Sequence, residues 1–578
     1  MNMRILARVL VSMFVVALVL ATNAGTNYAA SVIKGPRLSQ IALLSKFAHD
    51  NMPDEAIDLA KLDAAMPDFG LPGGSPAAAQ INADVNRRPQ NETSIAIKPG
   101  TSGETATWIT GANDYGIGAP IGSGVYTSGG TTYFPPFPLL AYKGGSGSQL
   151  GIEVPIAGGD PALAYGKTRT APGIPAGASV AYYASLVFSA NNCENGVIVQ
   201  RSFNDGATWN RPVVPDLAPP SGVGIVVYDD DGQNCSIIHD KEWIAIDNSG
   251  GPHDGRVYVT WTRVVFANGN FKEAPILLAW SDDNALTFSN GIVVSGASAS
   301  LCPLPASTQN QCNFDQFSTP VVLPNGKVAI SFINGNGPGF AQGFRDQYLV
   351  TVFDPGAGTL AGPFKVDNVF DGVNDYPIQT TGGQGRATLC NSNFRFSSSS
   401  GLATDAAGTL YLTFSDNRKH AGEFPFPTVV ASRANGYKCP QGKVTDNDVF
   451  VWKSTNSGTT WTNVTPSSGT ATNDQFYPFV AAGAAGRVSV VFYDRSASAT
   501  NKMADTVVAV SSNGGTTWTT TTVSDAPSNF DNAFFGSGSF IGDYTGIAVD
   551  AGGFSHPVWA GVTGGKMDSD VFKGLVAP

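Results

Sequence analysis

The sequence predicts an all-β propeller of four-stranded blades, preceded by a short N-terminal helical extension. Three observations predict it. Charged residues make up only 14% of the 578-residue chain, against the ~25% of ordinary globular domains, while Gly reaches 67. From about Gln90 onward short apolar strands alternate with Gly-containing turns. These strand–turn–strand units also recur at an interval long enough for four strands and their loops.

The units justify the blade count. Ile95-Ala96-Ile97 passes through Pro99-Gly100 to Thr107-Trp108-Ile109, and Ile244-Ala245-Ile246 through Gly250-Gly251 to Val257–Trp261. Leu402-Ala403-Thr404 leads through Gly408 to Leu410–Phe414, with further copies at Leu163, Val321, Phe479 and Ile547. Aligned, they place Glu92, Asp160, Lys241, Ser318, Ser399, Phe476 and Tyr544 in one column, at separations of 68, 81, 77, 81, 77 and 68 residues. Repeats of four-stranded sheets pack radially, which leaves only short edges. Seven units favour seven blades; six stays open if a terminal unit completes a shared blade.

Ahead of the repeats, Arg4 and Arg8 precede an apolar run from Val9 to Ala21 and small residues to Ala24. That is the pattern of a cleaved signal peptide over 1–24, too short for a membrane span. Leu38–Ala48 and Glu55–Met66 have helical spacing, and the Gly/Pro-rich stretch after Asp68 reads as linker. The expected domains are therefore the signal at 1–24, a helical extension and linker at 25–89, and the propeller at 90–578. An exported chain with six Cys implies up to three disulfides. Cys302 with Cys312 is the clearest pair; Cys193 with Cys235 and Cys390 with Cys439 follow from order alone. The Cys spacings do not form a zinc site, and a net charge of −11 argues against nucleic acid as a partner.

A second repeat lies inside the first. Ser202–Trp209 reads SFNDGATW, Ser454–Trp461 STNSGTTW, Ser511–Trp518 SSNGGTTW and Ser281–Phe288 SDDNALTF. Asn204, Asp283, Asn456 or Asn513 can accept from its own turn, Gly can take positive φ, and the aromatic residue anchors the hairpin. Their role is read as structural. These frames resemble the Asp-box (BNR) repeats of the sialidase-like superfamily, and the resemblance runs from about Gln90 to the C-terminus. It implies a propeller of a class that includes secreted glycoside hydrolases and members without assigned chemistry.

Two columns converge on one face of such a ring. Where the first strands begin stand Glu92, Asp160, Lys241 and Tyr544, with Asp240, Glu242 and Asp543 alongside; where the second strands end stand Asp114, Arg263, Asn334, Asp416 and Asp494, followed by Arg418 and Arg495. The resemblance implies an arginine clamp on a sugar carboxylate, imitated here by Arg263, Arg418 and Arg495, and a tyrosine nucleophile, here Tyr544. Asp543, Glu92 and Asp160 are the acid/base candidates; Lys241, Asp416 and Asp494 complete the substrate-binding set. The family's Arg-Ile-Pro motif is absent at Asn91–Ile95, which favours recognition over hydrolysis. Structural Arg–Asp pairing is the competing reading for each arginine. Asp229, Asp231 and Asn234 resemble half of a calcium loop without its distal Glu, and a solvated acidic turn fits them better. The expectation is an exported propeller that acts on or recognises a glycan, an acidic sugar among the candidates, as an exo-glycosidase. The alternatives are a non-catalytic surface or adhesion propeller that binds a glycan or a protein, and a structural surface protein whose ring pairs are purely internal.

Overall fold

Alternating β-branched and aromatic residues form strands here because the inner strands of each blade have two buried faces, one against each neighbouring blade. Outer strands such as Thr519–Thr522 are exposed. In the computed structural model the described residues are 78–81, 89–114, 122–128, 156–171, 174–188, 195–209, 224–229, 236–268 and 270–578. The last stretch has short omissions at 305, 307, 339–344, 380–385, 426–427, 431–436, 467–471, 536–537, 563–568. The signal segment, the two helical segments, Cys193 with Cys235, and Asp231 and Asn234 lie outside the described residues.

Blade 1 comprises Gln90–Ile97, Trp108–Asp114 and Gly122–Thr127. Blade 2 comprises Ile156–Lys167, Ser179–Phe188, Asn195–Ser202 and Gly224–Asp229. Blade 3 begins with Ile237–Ile246 and Val257–Ala267, blade 4 with Asp315–Val322 and Val328–Asn334. Blade 5 begins with Gly401–Thr404 and Leu410–Asp416, blade 6 with Gln475–Ala482 and Val488–Asp494, and blade 7 with Gly546–Val549 and Ser555–Gly561. Neighbouring strands within each blade are antiparallel, and the ring has seven blades. The first strands touch in chain order around the axis, and that of blade 7 returns to that of blade 1.

The ring is closed by chain from before Gln90. Ala78–Gln80 pairs antiparallel with Asp570–Gly574, Ala79 opposite Lys573, and so supplies the outermost strand of blade 7. The propeller thus extends N-terminally into the stretch expected to be linker. Three residues are too few to show a period-2 pattern, which is why the strand is silent in the sequence.

Each blade–blade interface has its own apolar cluster. Ile109 and Tyr183 sit between blades 1 and 2, Trp261 and Tyr182 between 2 and 3, and Leu412 and Val350 between 4 and 5. Full burial of one such side chain stabilises the ring by roughly 1.5–3 kcal/mol, so closure depends on many modest contributions. The disulfides Cys302–Cys312 and Cys390–Cys439 are formed as expected.

The four eight-residue frames make one shared turn. In the first, Gly206 N donates to Ser202 Oγ at 2.8 Å and Thr208 N to Asn204 Oδ1 at 2.8 Å. Asn456 and Asn513 repeat this with Thr460 N and Thr517 N, and Asp283 with Thr287 N. Gly206, Gly458 and Gly515 take φ of 83–86°, and Ala285 adopts a φ of 59° in the same place.

Candidate functional site

The innermost strands carry a bulge where they enter the channel. In blade 1 the pairing jumps between Asn91 and Ser94, in blade 4 between Gln316 and Thr319, in blade 6 between Phe476 and Phe479. The first unpaired residue is left-handed each time: Glu92 (54°), Asp160 (53°), Lys241 (52°), Phe317 (55°) and Tyr477 (50°). Such φ values are costly for residues with a Cβ, and bulges that re-aim side chains recur beside functional sites. In blades 4 and 6 the bulge residue is therefore Phe317 rather than Ser318, and Tyr477 rather than Phe476. A one-residue slip along a short apolar run leaves no trace in the hydrophobic pattern.

These bulges and the segment before blade 7 meet around one ammonium group. Lys241 Nζ lies 2.8 Å from Asp160 Oδ2, 2.9 Å from Asp543 Oδ2 and 3.3 Å from Glu92 Oε1. Lys241 is 4% exposed and the three acids 1% each. Arg395 forms a second ion pair with Asp543. Glu92 also accepts from Asn113 Nδ2 at 2.7 Å and from the Asp543 backbone N–H at 3.1 Å. Tyr544 donates its hydroxyl to the Pro161 carbonyl at 3.2 Å, and its ring centroid lies 5.3 Å from Lys241 Nζ.

The shared ammonium sets the acids apart. Burial and the charge of Asp160 hold Glu92 well above the usual carboxylate range, with Lys241 pulling the other way. Burial also raises Asp160, against Lys241. Burial pushes Asp543 upward too, but Arg395 and Lys241 outweigh it and hold this carboxylate below its ordinary value. For Lys241, burial is outweighed by Asp160, Asp543 and Glu92, which keep it charged. Burial, then Glu92 and Asp160, raise Tyr544 well above the ordinary phenol, so its hydroxyl keeps its proton.

Of the residues given a catalytic or substrate-binding role from sequence, Glu92, Asp160, Lys241, Asp543 and Tyr544 come together. The other five are engaged elsewhere. Arg418 is bidentate on Asp416, Nε to Oδ1 and Nη2 to Oδ2 at 2.9 Å each, reaches Asp367 at 3.0 Å and stacks on Phe450. Arg495 is buried and donates to Ser392 Oγ at 2.8 Å and the Asn501 carbonyl at 3.1 Å. Asp494 accepts from Ser496 N at 2.8 Å. Arg263 is less committed: its nearest carboxylate is Glu273 at 4.0 Å, and its side chain is 34% exposed. Asp229 accepts a hydrogen bond from His239 Nε2, whose Nδ1 accepts from Trp261, so it is occupied within blades 2 and 3.

One residue of the centre, Arg395, was missed, and one expected beside Lys241, Glu242, stands apart from the ion pairs. Arg395 lies in Asn393–Ser397, outside any repeated unit, and reaches Asp543 from the approach to blade 5. Glu242 follows Lys241 in the bulge; it is buried, and neither carboxyl oxygen has a hydrogen-bond partner. Its place beside Lys241 follows from the Asp240-Lys241-Glu242 run in the entry column. A cavity of about 20 Å³ adjoins the cluster, lined by Asp160, Glu242, Ser318, Ser399, Ser400 and Tyr544, among others.

No family model matches the sequence, and no curated protein does. Solved structures that align with it include a protein of unknown function from Dyadobacter fermentans, at 8% identity and TM-score 0.40, covering 86% of this chain and 97% of that one. The α-L-arabinofuranosidase Arb93A of Fusarium graminearum aligns at 10% identity and TM-score 0.36, over 72% of this chain and 92% of that one. The intramolecular trans-sialidase of Ruminococcus gnavus aligns at 9% and 0.36, over 72% and 94%. Likeness at this level carries no residue role from those chains onto this one.

Proposed function

We propose that this chain is an exported, glycan-recognising propeller whose channel is closed by a structural charge hub, so that its ligand is held on the rim. One observation carries this reading: the acids a propeller hydrolase would aim at its substrate are ion-paired and about 1% exposed. The adjoining 20 Å³ has room for one water and none for a sugar ring. Likeness of the eight-residue frames to Asp-box repeats supports the carbohydrate class, and two disulfides support export. Arg263 is the arginine with donors available for an acidic sugar. A glycan array probed with the purified chain should retain sialylated or uronate-bearing glycans, while a panel of chromogenic glycosides should show no turnover. An array without retained glycans overturns the reading.

A second reading, an exo-glycosidase, is favoured by the opposed shifts of Glu92 and Asp543. A carboxyl raised by burial beside one lowered by two cations is the kind of split that divides general acid from charged partner in glycoside hydrolysis. Turnover of any chromogenic glycoside that is lost in Glu92→Gln would select it over the first.

A further inference from the structure

A buried chain of hydrogen bonds ends on one carboxylate of the rim. Trp261 and Arg263, two residues apart in the second strand of blade 3, share one face of it, and Arg263 stands opposite His239 in the first strand. The Trp261 indole Nε1–H donates to His239 Nδ1 at 3.0 Å. An indole can only donate, so this nitrogen accepts and Nε2 carries the ring's proton. Nε2 in turn donates to Oδ2 of Asp229, which ends the outermost strand of blade 2. Asn195, opposite Asp229 in its sheet, accepts from the His239 backbone N–H at 2.7 Å and donates to the Ile237 carbonyl at 3.0 Å.

The inner members of this chain are closed to solvent and its end is not. Trp261 and the His239 side chain are fully buried, whereas the side chain of Asp229 is 32% exposed and that of Arg263 34%. The hydrogen bond from His239 holds the Asp229 carboxyl below its ordinary value against the effect of burial, and the charge of nearby Arg263 adds to it. The nearest acid to Arg263 is Glu273 at 4.0 Å, and its buried Nε has no hydrogen-bond partner. A buried Trp–His pair that fixes one surface carboxylate is the outer support a ligand-binding group needs.

We propose that Asp229, oriented by His239, is the specificity-determining partner of Arg263 on the rim. It accepts from a hydroxyl or amide N–H of a singly charged sugar whose own carboxylate Arg263 holds. The inference rests on the reading of this rim as a glycan site. One cation beside two acids, Asp229 and Glu273, has room for one further negative charge, and a sulfate added to the ligand is repelled. The ligand class is therefore a sialic or uronic acid without sulfation.

Glycan arrays probed with the whole chain test this, with each acidic glycan printed beside its sulfated counterpart. Wild-type protein should retain the unsulfated member about tenfold better. Asp229→Asn can still accept from His239, yet should bind the unsulfated glycan about tenfold less tightly and lose the discrimination against sulfate. His239 is a positioning residue, and two variants separate orientation from stability. Leu neither accepts from Trp261 nor donates to Asp229, so His239→Leu should narrow the ratio between the two glycans; a purely structural loss would lower both equally. His239→Gln, which can do both, should restore most of that ratio. If His239→Leu does not fold, the ratio in Asp229→Asn decides. Unchanged affinity and ratio in Asp229→Asn, or a wild type that retains sulfated glycans equally well, overturns this proposal and leaves the rim reading standing. A wild type that retains no glycan overturns both.

Discussion

The ammonium of Lys241, in the first strand of blade 3, lies 2.9 Å from the carboxylate of Asp543, which approaches from the chain leading into blade 7. The pair spans the axis and joins parts of the ring that share no sheet. Lys241→Met removes this cation and leaves Asp160, Asp543 and Glu92 buried without it. Breaking one side of a buried ion pair costs about 3–5 kcal/mol, far more than losing an exposed pair. The urea midpoint of Lys241→Met should fall by that measure, and a loss below about 1 kcal/mol would show that the hub does not hold the ring.

Proton linkage gives the hub an acid-side preference. Glu92, Asp160 and Glu242 have raised folded-state values, so their contribution is fully present below the ordinary carboxylate range and lost as pH rises through the folded values. Asp543 acts in the opposite sense, adding stability above its ordinary value and losing it as pH falls. Asp448 is the member of the raised class that titrates near an ordinary working pH. Burial lifts it to about 6, partly opposed by Lys419 and reinforced by Asp446 and Asp416. Its contribution is present below the ordinary aspartate value and disappears as pH rises through about 6. Asp448→Asn should therefore flatten the stability profile between pH 4 and 6 by on the order of 1 kcal/mol, after allowance for solvent screening. Urea midpoints across that range check it; an unchanged slope would count against the raised value.

Much of the fold and part of the centre could be read from sequence, for different reasons. The blades were legible because each repeats an apolar pattern at a constant offset from a Gly turn, as at Ile244–Trp261 and Leu402–Phe414. Glu92, Asp160 and Lys241 came with that register, since equal positions in a closed ring meet at the axis. Arg395 was illegible because it stands in no repeat and acts across the ring. Arg418 and Arg495 share a sequence position that promised convergence, yet each has acids or carbonyls of its own within 3.1 Å. Glu242 came with the same register as the neighbour of Lys241, and the bulge explains its burial, since it turns two consecutive residues into the channel where a regular strand would turn one.

The eight-residue turns give a clean measure of backbone strain. Gly458 sits at φ 83°, with Val350 3.1 Å from where a Cβ would stand. Gly458→Ala should lower stability by about 1–2 kcal/mol through left-handed strain and this close contact. Ala285 shows that the turn tolerates a methyl at that place, so the variant should fold. Thermal unfolding distinguishes the outcomes: an unchanged midpoint would mean that the frame does not need its glycine.

The disulfides should differ in worth according to the loops they close. Cys302 and Cys312 are 10 residues apart, Cys390 and Cys439 49. Loop-closure entropy assigns roughly 3 kcal/mol to the shorter and roughly 4 kcal/mol to the longer, so the double Ser variant at 390 and 439 should be the less stable. Urea unfolding of the two double variants under identical conditions gives the ranking, and a reversal would point to native-state contacts of the shorter loop as the larger factor.

The three arginines in and after the second strands, Arg263, Arg418 and Arg495, should separate into a graded series. Arg495 is about 1% exposed and donates to a serine hydroxyl and a backbone carbonyl, so Arg495→Ala leaves buried acceptors unpaired and should cost about 3 kcal/mol or more. Arg418→Ala loses a bidentate contact to Asp416, itself fully buried, and should cost about 2 kcal/mol. Arg263 has its nearest acid at 4.0 Å and a third of its side chain exposed, so Arg263→Ala should cost less than about 1 kcal/mol. Binding should follow the reverse order. If an acidic glycan is held on the rim, Arg263→Ala should weaken it by about tenfold or more, the loss of one charge-assisted hydrogen bond, while leaving the fold intact. Glycan-array signal and urea midpoint, read on the same three variants, place each arginine in one role. Undiminished binding in Arg263→Ala would remove the rim arginine from recognition and return the search to neutral sugars.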